Sequence, residues 1–293
     1  MQVPPFDAEI FDAAAGLQER GAPQPEALFL LGCGVGVLPG RLKDAGRIPL
    51  SAIKGVPEAW ADALLHHGIF NGLCVWMLED APRTATEDDP HWVGAFPVWL
   101  AAAAGAATLV HTSAGNALPR QAGQAGSEPE APLPVGTVAL VSDHVNLSGE
   151  SPLVGVGESR LGPLFPDQTR VHDSILRKSA LATAQRLGLA AVEAVVACVQ
   201  GPSLETPAER RWFAAAGCDV SVQRLATPLI GAAHAGLGTL SLVLVVNDSE
   251  GPIDIAEIVA VAARLAPSVD DLLWELAADV QRQTAADLEG SGA

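Results

Sequence analysis

Short apolar runs alternate with amphipathic stretches along most of this chain. Apolar runs of about four to eight residues bounded by glycine, proline or asparagine are typical of buried parallel strands, and apolar residues repeated about every three or four positions indicate helices. These patterns predict strands at 28–31, 72–78, 108–112, 138–141, 190–199 and 240–246, and helices at 6–20, 57–67, 97–104, 173–187, 206–216 and 227–235. The alternation predicts a single α/β domain over residues 1–293, in which helices flank a central mixed β-sheet.

Two further segments stand apart from this alternation. Residues 119–134 are rich in proline, glycine and alanine, and strands resume directly after them, which predicts a flexible surface loop within the domain. Asp254 and Glu257 have the spacing of a capping box, in which two side chains satisfy backbone N–H groups at the start of a helix. The helix that they open is expected to be interrupted by Pro267 and to resume over 270–287.

The composition favours a well-packed protein and excludes some classes of partner. The chain has 293 residues, of which 49% are hydrophobic and 17% charged, and this is enough to bury a substantial core. Its net charge of −17 argues against binding to a phosphate backbone, so no nucleic-acid partner is expected. The longest apolar run, at 98–110, is too short to span a bilayer, so no membrane partner is expected either.

Cysteine usage and the N-terminal residues bear on the compartment. The cysteines Cys33, Cys74, Cys198 and Cys218 are scattered without a CxxC pair, which favours free thiols in a reducing compartment. Residues 1–7 have neither the basic region nor the apolar segment of a secretory signal. Together these features predict a soluble cytoplasmic protein.

Two polar residues stand where apolar runs end. Glu205 lies in Gly-Pro-Ser-Leu-Glu-Thr, shortly after the run at 195–199, and Asn247 directly follows the run at 242–246. Open α/β sheets bind small molecules at the carboxyl ends of their strands, so a carboxylate and an amide on neighbouring strand ends could together hold a purine base. Each residue alone also has a structural explanation: Glu205 as a carboxylate at a helix N-terminus, and Asn247 as part of an Asx turn.

The motifs of the chain, taken in order, resemble those of one known family. The matching segments are Leu31-Gly32-Cys33-Gly34-Val35-Gly36, Phe96-Pro97-Val98, Thr108-Leu109-Val110, Thr112-Ser113-Ala114-Gly115, Asp143-His144-Val145-Asn146-Leu147, Phe165-Pro166, Gly201-Pro202-Ser203-Leu204-Glu205-Thr206, His234-Ala235-Gly236-Leu237 and Val246-Asn247. They span nearly the whole sequence. The chain is similar to the trimeric purine nucleoside phosphorylases, a family that includes the methylthioadenosine phosphorylases.

The resemblance implies phosphorolysis of a 6-oxopurine nucleoside, such as inosine or guanosine, to the free base and ribose 1-phosphate. Breaking the N-glycosidic bond leaves negative charge on the departing base, and groups that bind this charge lower the barrier. The resemblance assigns these catalytic roles to Asn247, at purine N7 and O6, and to Glu205, at N1–H or a 2-amino group. Asp248 follows Asn247 directly, so a preference for adenine also stays open.

The phosphate side departs from the family pattern. The resemblance places an arginine at a position held here by Pro82, while Arg83 stands one residue later and could supply the cation if the loop is shifted. It places a phosphate-binding serine where this chain has Arg224, which either acts as a phosphate ligand or fills the site and blocks phosphate. The phosphate-binding residues expected from the resemblance are Cys33, Gly34, Arg83, Ala114 and Arg224.

The resemblance also assigns residues around the base and the sugar, namely Gly115, Leu204, Gln223, Ile255 and Phe165. Leu204 replaces the usual aromatic residue, and Gln223 replaces a methionine. Ile255 lies near the position of a histidine that contacts the 5′-hydroxyl, so an apolar 5′ group would fit better there. Phe165 matches the aromatic residue that the family inserts into a neighbouring subunit, which implies a homotrimer; the alternative is an ordinary buried loop residue.

The resemblance implies no metal and no organic cofactor, with inorganic phosphate as the co-substrate. His66 and His67, expected at the end of a helix, lack further ligands at suitable spacing, and His144 is expected to be structural, near the trimer contact. Other functions stay open because of the altered phosphate positions. They are phosphorolysis of a 5′-modified nucleoside such as methylthioadenosine, nucleoside hydrolysis, and nucleoside binding without catalysis.

Overall fold

The computed structural model describes residues 5–32, 37–79, 89–119, 131–248 and 254–290. The helices are α1 Pro5–Glu19, α2 Glu58–Ala61, α3 Phe96–Ala103, α4 Ser174–Arg186, α5 Pro207–Ala215, α6 Ala226–Ala235 and α7 Ile255–Gly290. The strands are β1 Ala27–Leu31, β2 Lys43–Pro49, β3 Leu64–Phe70, β4 Leu73–Glu79, β5 Thr108–Ala117, β6 Val138–Asn146, β7 Ala191–Val199, β8 Val220–Gln223 and β9 Gly238–Asn247. Within these ranges no helix combines the length and hydropathy that crossing a membrane requires.

The strands of the described ranges form one mixed sheet. Their order is β2-β3-β4-β1-β5-β8-β7-β6-β9, and β5 also pairs with β9, so β5, β8, β7, β6 and β9 close into a ring. β1 is parallel to β4 and β5, and β5 is parallel to β9, whereas β5 and β8 are antiparallel. The carboxyl ends of β1, β4, β5 and β9 therefore meet at one edge of the sheet. The prediction of an α/β fold around a mixed sheet is confirmed.

Two apolar layers cover the sheet. Alternate residues of β1 point to opposite faces, because successive side chains of a strand do so: Leu28 and Leu30 pack in one layer, and Phe29 packs in the other. The first layer contains residues of α1, α3 and α6, and the second contains residues of α4 and α7. Helices thus flank the sheet on both sides, which holds the strand ends rigidly in place.

One predicted helix was wrong over most of its length. The stretch 57–67 forms only the short helix α2, and residues 64–70 form β3 instead. Leu65, His67 and Phe70 are buried there, and the strand pairs with both β2 and β4. The ladder outweighs the helical pattern of so short a segment. His66 and His67 therefore lie in a strand, and burial lowers the pKa of both imidazoles.

The C-terminal helix also differs from its prediction. α7 runs without a break from Ile255 to Gly290 although Pro267 lies inside it. Pro267 is exposed, so the backbone carbonyl that loses its partner can be solvated. The Asp254 carboxylate accepts a hydrogen bond from the Ala256 N–H at 2.8 Å, as expected for a residue at the start of this helix.

The remaining sequence predictions agree with the elements to within a few residues, with two omissions. The polar strand β2 and the short strand β8 were not predicted, and β5 and β6 both extend five residues beyond their predicted ends at 112 and 141. Cys74, Cys198 and Cys218 are free thiols, as expected. Most of the predicted flexible loop at 119–134 lies outside the described residues.

Candidate active site

A cavity of about 540 Å³ opens at the edge where the parallel strands end. Leu31 of β1, Glu79 of β4, Asn116 of β5 and Val246 of β9 all line it. A volume of this size is typical of pockets for small organic ligands. Seven of the residues assigned from the sequence also line it, namely Ala114, Gly115, Leu204, Glu205, Gln223, Arg224 and Ile255.

The other assigned residues lie elsewhere or outside the described ranges. Asn247 directly follows the lining residue Val246 and pairs with Asn116 in the ladder between β5 and β9. Phe165 does not line the cavity of its own chain and is 88% exposed. It is therefore not the buried loop residue that was the alternative. Cys33, Gly34 and Arg83 lie outside the described residues.

The loop between β7 and α5 positions Glu205. Thr206 accepts a hydrogen bond from the Glu209 N–H at 3.2 Å, and the Glu209 carboxylate accepts from the Thr206 N–H at 2.7 Å. This capping box starts α5 without Glu205, although Glu205 directly precedes it. The explanation of Glu205 as the carboxylate that caps a helix therefore does not apply.

The two oxygens of the Glu205 carboxylate have different surroundings. Oε2 accepts a hydrogen bond from Asn116 Nδ2 at 3.1 Å. Oε1 is buried and has no hydrogen-bond partner among the described residues. A buried polar atom needs a hydrogen-bond partner, so this oxygen is suited to accept a hydrogen bond from a ligand or a water molecule in the cavity. One carboxylate oxygen is thus fixed by the protein and the other is available to a bound molecule.

Sequence reasoning missed Asn116, which links the two assigned polar residues. Asn116 donates to Glu205 through its side chain and lies opposite Asn247 in the strand ladder. The ladder shifts register between Gly115 and Asn116, and such irregularities often re-aim side chains beside active sites. The strand had been predicted to end at 112. The available signal was an amide within an otherwise small and apolar stretch that ends at Ala117.

Gly115 is required by close packing around the cavity. A Cβ at this position would lie 2.6 Å from Val220, 2.7 Å from Val243 and 2.8 Å from the Ser221 carbonyl oxygen. Any larger residue would push β5 away from β8 and β9, and would move Asn116 with it. The glycine therefore maintains the shape of this wall.

Gln223 acts on the loop that carries Glu205. Its Nε2 donates to the Ser203 carbonyl oxygen at 3.2 Å. A Cβ at Gly201, which has φ +73°, would overlap the Gln223 side chain. The end of β8 and the Glu205 loop are thus packed together. Gln223 lines the cavity and also supports one of its walls.

Arg224 lies just before the start of α6 and has an unusual backbone conformation. Its φ is +62°, in the left-handed region, and its N–H donates to the Val199 carbonyl oxygen at 2.9 Å. This conformation costs a non-glycine residue about 1–2 kcal/mol. The guanidinium makes no ion pair with any residue that the structure describes. A strained and unpaired cation that lines a cavity is suited to an anionic ligand.

The charges that line the described part of the cavity are few. Arg224 is the cation, and Glu79 and Glu205 are the acids. Glu79 ends β4 and is exposed. With two carboxylates present, an anion is attracted to this cavity only close to Arg224 or close to backbone N–H groups.

Comparison with known proteins supplies an independent line of argument. A family model described as the phosphorylase superfamily matches residues 35–278. Purine nucleoside phosphorylase 1 of Geobacillus stearothermophilus is 31% identical over 252 residues, which cover 84% of this chain and 86% of the relative. The purine nucleoside phosphorylase of Bos taurus is 28% identical over 283 residues, which cover 92% and 94%.

Solved structures show the same fold. A Schistosoma purine nucleoside phosphorylase in complex with hypoxanthine aligns with a TM-score of 0.80 at 24% identity, covering 94% of this chain and 98% of that one. Isoform 2 of the enzyme from Schistosoma mansoni, in complex with cytosine and ribose-1-phosphate, aligns with a TM-score of 0.83 at 23% identity, covering 94% and 97%.

Proposed function

The chain belongs to the phosphorylase superfamily, and from this premise we propose that it is a purine nucleoside phosphorylase. It cleaves a 6-oxopurine nucleoside with inorganic phosphate and releases the free base and ribose 1-phosphate. The observation that carries the proposal is the Glu205 carboxylate, which lines a cavity of suitable size and has one buried oxygen without a partner among the described residues. As a pentosyltransferase of this kind, the protein would act in purine salvage in the cytoplasm.

The purine binds against the ends of β5 and β9 and the Glu205 loop. A 6-oxopurine carries N1–H, which can donate to Glu205 Oε1 while Asn116 holds Oε2. Asn247, opposite Asn116 in the ladder, meets N7 and O6 in this proposal. As the glycosidic bond breaks, these contacts strengthen because the departing base gains negative charge and then a proton.

Phosphate attacks the anomeric carbon from the side of Arg224. We favour Arg224 as a phosphate ligand over Arg224 as a blocking residue, because its guanidinium is unpaired among the described residues. The Ala114 backbone lies on the same cavity, and Cys33, Gly34 and Arg83 are the further candidates. The reaction needs no metal and no organic cofactor, since phosphate is the nucleophile and the base leaves after protonation.

The sugar lies between Leu204, Gln223 and Ile255, with Gly115 behind it. Phe165 does not line the cavity of its own chain and is 88% exposed, so it is available to a neighbouring subunit. We propose a homotrimer in which each Phe165 completes the sugar pocket of the next subunit.

The test is base release from inosine, guanosine, adenosine and methylthioadenosine, each with and without phosphate. The proposal expects release from inosine and guanosine that depends on phosphate and yields ribose 1-phosphate. Release without phosphate would identify a hydrolase, and binding without release would identify a silent nucleoside-binding protein. Either result would overturn the proposal.

A second candidate is phosphorolysis of a 5′-modified nucleoside such as methylthioadenosine. The observation in its favour is the pair Ile255 and Ile258, which gives the cavity an apolar wall at the start of α7. An apolar wall accommodates an alkylthio group better than a hydroxyl, which would lose its hydrogen bonds to water. The same assay distinguishes the two, since this candidate expects the highest kcat/KM for methylthioadenosine.

A further inference from the structure

Three metal-ligating side chains cluster away from the cavity. Asp143 and His144 are consecutive residues of β6. His172 lies two residues before the start of α4. One ligand atom from each lies within 4.8 Å of those of the other two. None of the three lines the cavity, so the proposed phosphorolysis does not use them.

The backbone brings the carboxylate and the imidazole of consecutive residues together. Neighbours in a regular strand point to opposite faces, but the β6–β7 ladder shifts register between Val141 and Asp143. The Asp143 carboxylate also bends back and accepts a hydrogen bond from the His144 N–H at 2.8 Å. The irregular ladder and this turn-like contact place both side chains on the same side.

The backbone fixes His172 from the other direction. It forms a parallel bridge with Thr239 of β9, and the next residue, Asp173, caps α4 by accepting from the N–H groups of Ile175 and Leu176. Its ring packs edge-on against His144 with the centroids 5.2 Å apart. The imidazole is therefore held against β6 by two regular elements.

The distance between the two imidazoles suits a shared ion. His144 Nδ1 and His172 Nε2 are 3.0 Å apart. Two nitrogens bound to one tetrahedral zinc ion, each at about 2.0–2.1 Å, are about 3.3 Å apart. The rings need to separate by only a few tenths of an ångström to admit the ion between them.

The charge beside the cluster also suits a bound cation. Arg177 donates to the His172 carbonyl oxygen at 3.4 Å and pairs with Glu193 at 2.7 Å. This ion pair reduces the repulsion between Arg177 and a bound ion.

We propose that Asp143, His144 and His172 bind one divalent transition-metal ion of the zinc type, with water in the fourth position. Two imidazoles and one carboxylate are ligands that zinc accepts, and imidazole disfavours calcium and magnesium. The chain leaves the cluster after His144 and returns to it at His172. The ion would therefore close the base of the segment that carries Phe165.

Zinc binding to the full-length protein tests this proposal. The protein is stripped with a chelator, and Zn²⁺ affinity is measured by competition with a chelating dye. We expect one ion per chain, a thermal midpoint that rises on adding Zn²⁺, and at least about tenfold weaker binding in His172→Gln and Asp143→Asn. His91→Gln is the matched control, because it removes an exposed histidine outside the cluster and should leave the affinity unchanged.

A measurement on the unaltered chain guards against variants that fail to fold. Cobalt in place of zinc should give the strong visible absorption of a four-coordinate ion, and Zn²⁺ should displace it. The proposal fails if the stripped protein binds no Zn²⁺ at equimolar concentration. It also fails if folded His172→Gln binds Zn²⁺ as tightly as the unaltered chain, or if cobalt gives only the weak spectrum of the hydrated ion.

Discussion

The two ends of the cavity are built differently. At the proposed purine end, Glu205 is fixed by Asn116, and Asn116 is paired with Asn247 across two parallel strands. At the proposed phosphate end, the described cation is Arg224, held in a left-handed conformation and free of ion pairs within the described ranges. The resemblance matches the residue types of the first end, whereas at the second it places a serine where this chain has Arg224.

The difference teaches where each end obtains its specificity. On the proposed assignment, the purine end relies on the hydrogen bond from Asn116 to Glu205, which the protein sets before the ligand arrives and which favours discrimination among bases. The phosphate end then relies on the Arg224 guanidinium and on backbone N–H groups. Substitutions at the purine end should therefore affect kcat, and substitutions at the phosphate end should affect the KM for phosphate.

The largest effect is expected from Glu205→Gln. The change keeps the size of the side chain and removes the charge that meets N1–H, so kcat/KM for inosine should fall by roughly 100- to 1000-fold. Glu209→Gln is the matched control, because this carboxylate supports only the capping box at the start of α5. It should lower the thermal midpoint and leave kcat unchanged. Equal losses of kcat/KM in Glu205→Gln and Glu209→Gln would contradict a specific role for the Glu205 charge at the purine.

The next effect is expected from Arg224→Gly. Glycine suits the left-handed backbone, so the change removes the guanidinium without adding strain. We expect the KM for phosphate to rise about tenfold to hundredfold, as for loss of a charged hydrogen bond, with little change in binding of the base. Arg224→Lys should have a KM for phosphate between those of the unaltered protein and Arg224→Gly, because lysine keeps the charge and loses the bidentate geometry. A lower KM for phosphate in Arg224→Gly would mean that Arg224 blocks the site.

A smaller effect is expected from Asn116→Ala. Asn116 is a positioning residue, since it acts on the base through Glu205 Oε2. Its loss should lower kcat for inosine about tenfold and leave the KM for phosphate unchanged. Asn116→Ser, which keeps a shorter hydrogen-bonding group, should recover part of kcat. A change in the phosphate KM alone would show that the two ends are not separate.

The smallest kinetic effect is expected from a change that touches neither end. Asp270 of α7 is buried, its Oδ1 has no partner among the described residues, and burial raises the pKa of its carboxyl to about 6. The unfolded chain releases this proton at lower pH than the folded protein. The contribution of Asp270 to the free energy of unfolding is therefore fully present below about pH 4 and is lost as the pH rises through about 6.

Asp270→Asn removes this penalty and should raise the thermal midpoint by roughly 2–6 °C at pH 8, and by little at pH 4. Glu275→Gln is the control, because Glu275 is exposed on the same helix and pairs with Arg186 at 3.3 Å, so its loss should not raise the midpoint. Kinetics at both ends of the cavity should be unchanged in both variants. An equal gain at pH 4 and pH 8 would rule out the protonation argument.

Hydrophobic patterning was sufficient for most of the fold and failed for identifiable reasons. β2 is a polar edge strand, with Ile48 as its buried residue, so it carries little apolar signal. β3 was mistaken for a helix because a short apolar run fits the repeat of a helix as well as that of a strand. Its pairing with β4 makes it a strand. Pro267 was expected to break α7, but the ring faces solvent, a fact that depends on how the helix packs.

The candidate site was predictable to the extent that it follows strand ends and family motifs. Glu205 and Arg224 were named from the sequence, and both line the cavity. Asn116 was not, since its role depends on β5 extending to Ala117 and on a register shift that no local pattern encodes. The cluster at His172 was also missed, because His172 lies 28 residues after His144 and the fold brings it back to Asp143 and His144.

The most direct test of the central claim is a crystal structure of the protein with hypoxanthine and phosphate. The account predicts that Glu205 Oε1 and the Asn247 side chain each lie about 3 Å from polar atoms of the purine, with phosphate against Arg224. The account is contradicted if the purine lies in the cavity and contacts neither side chain, or if it binds elsewhere.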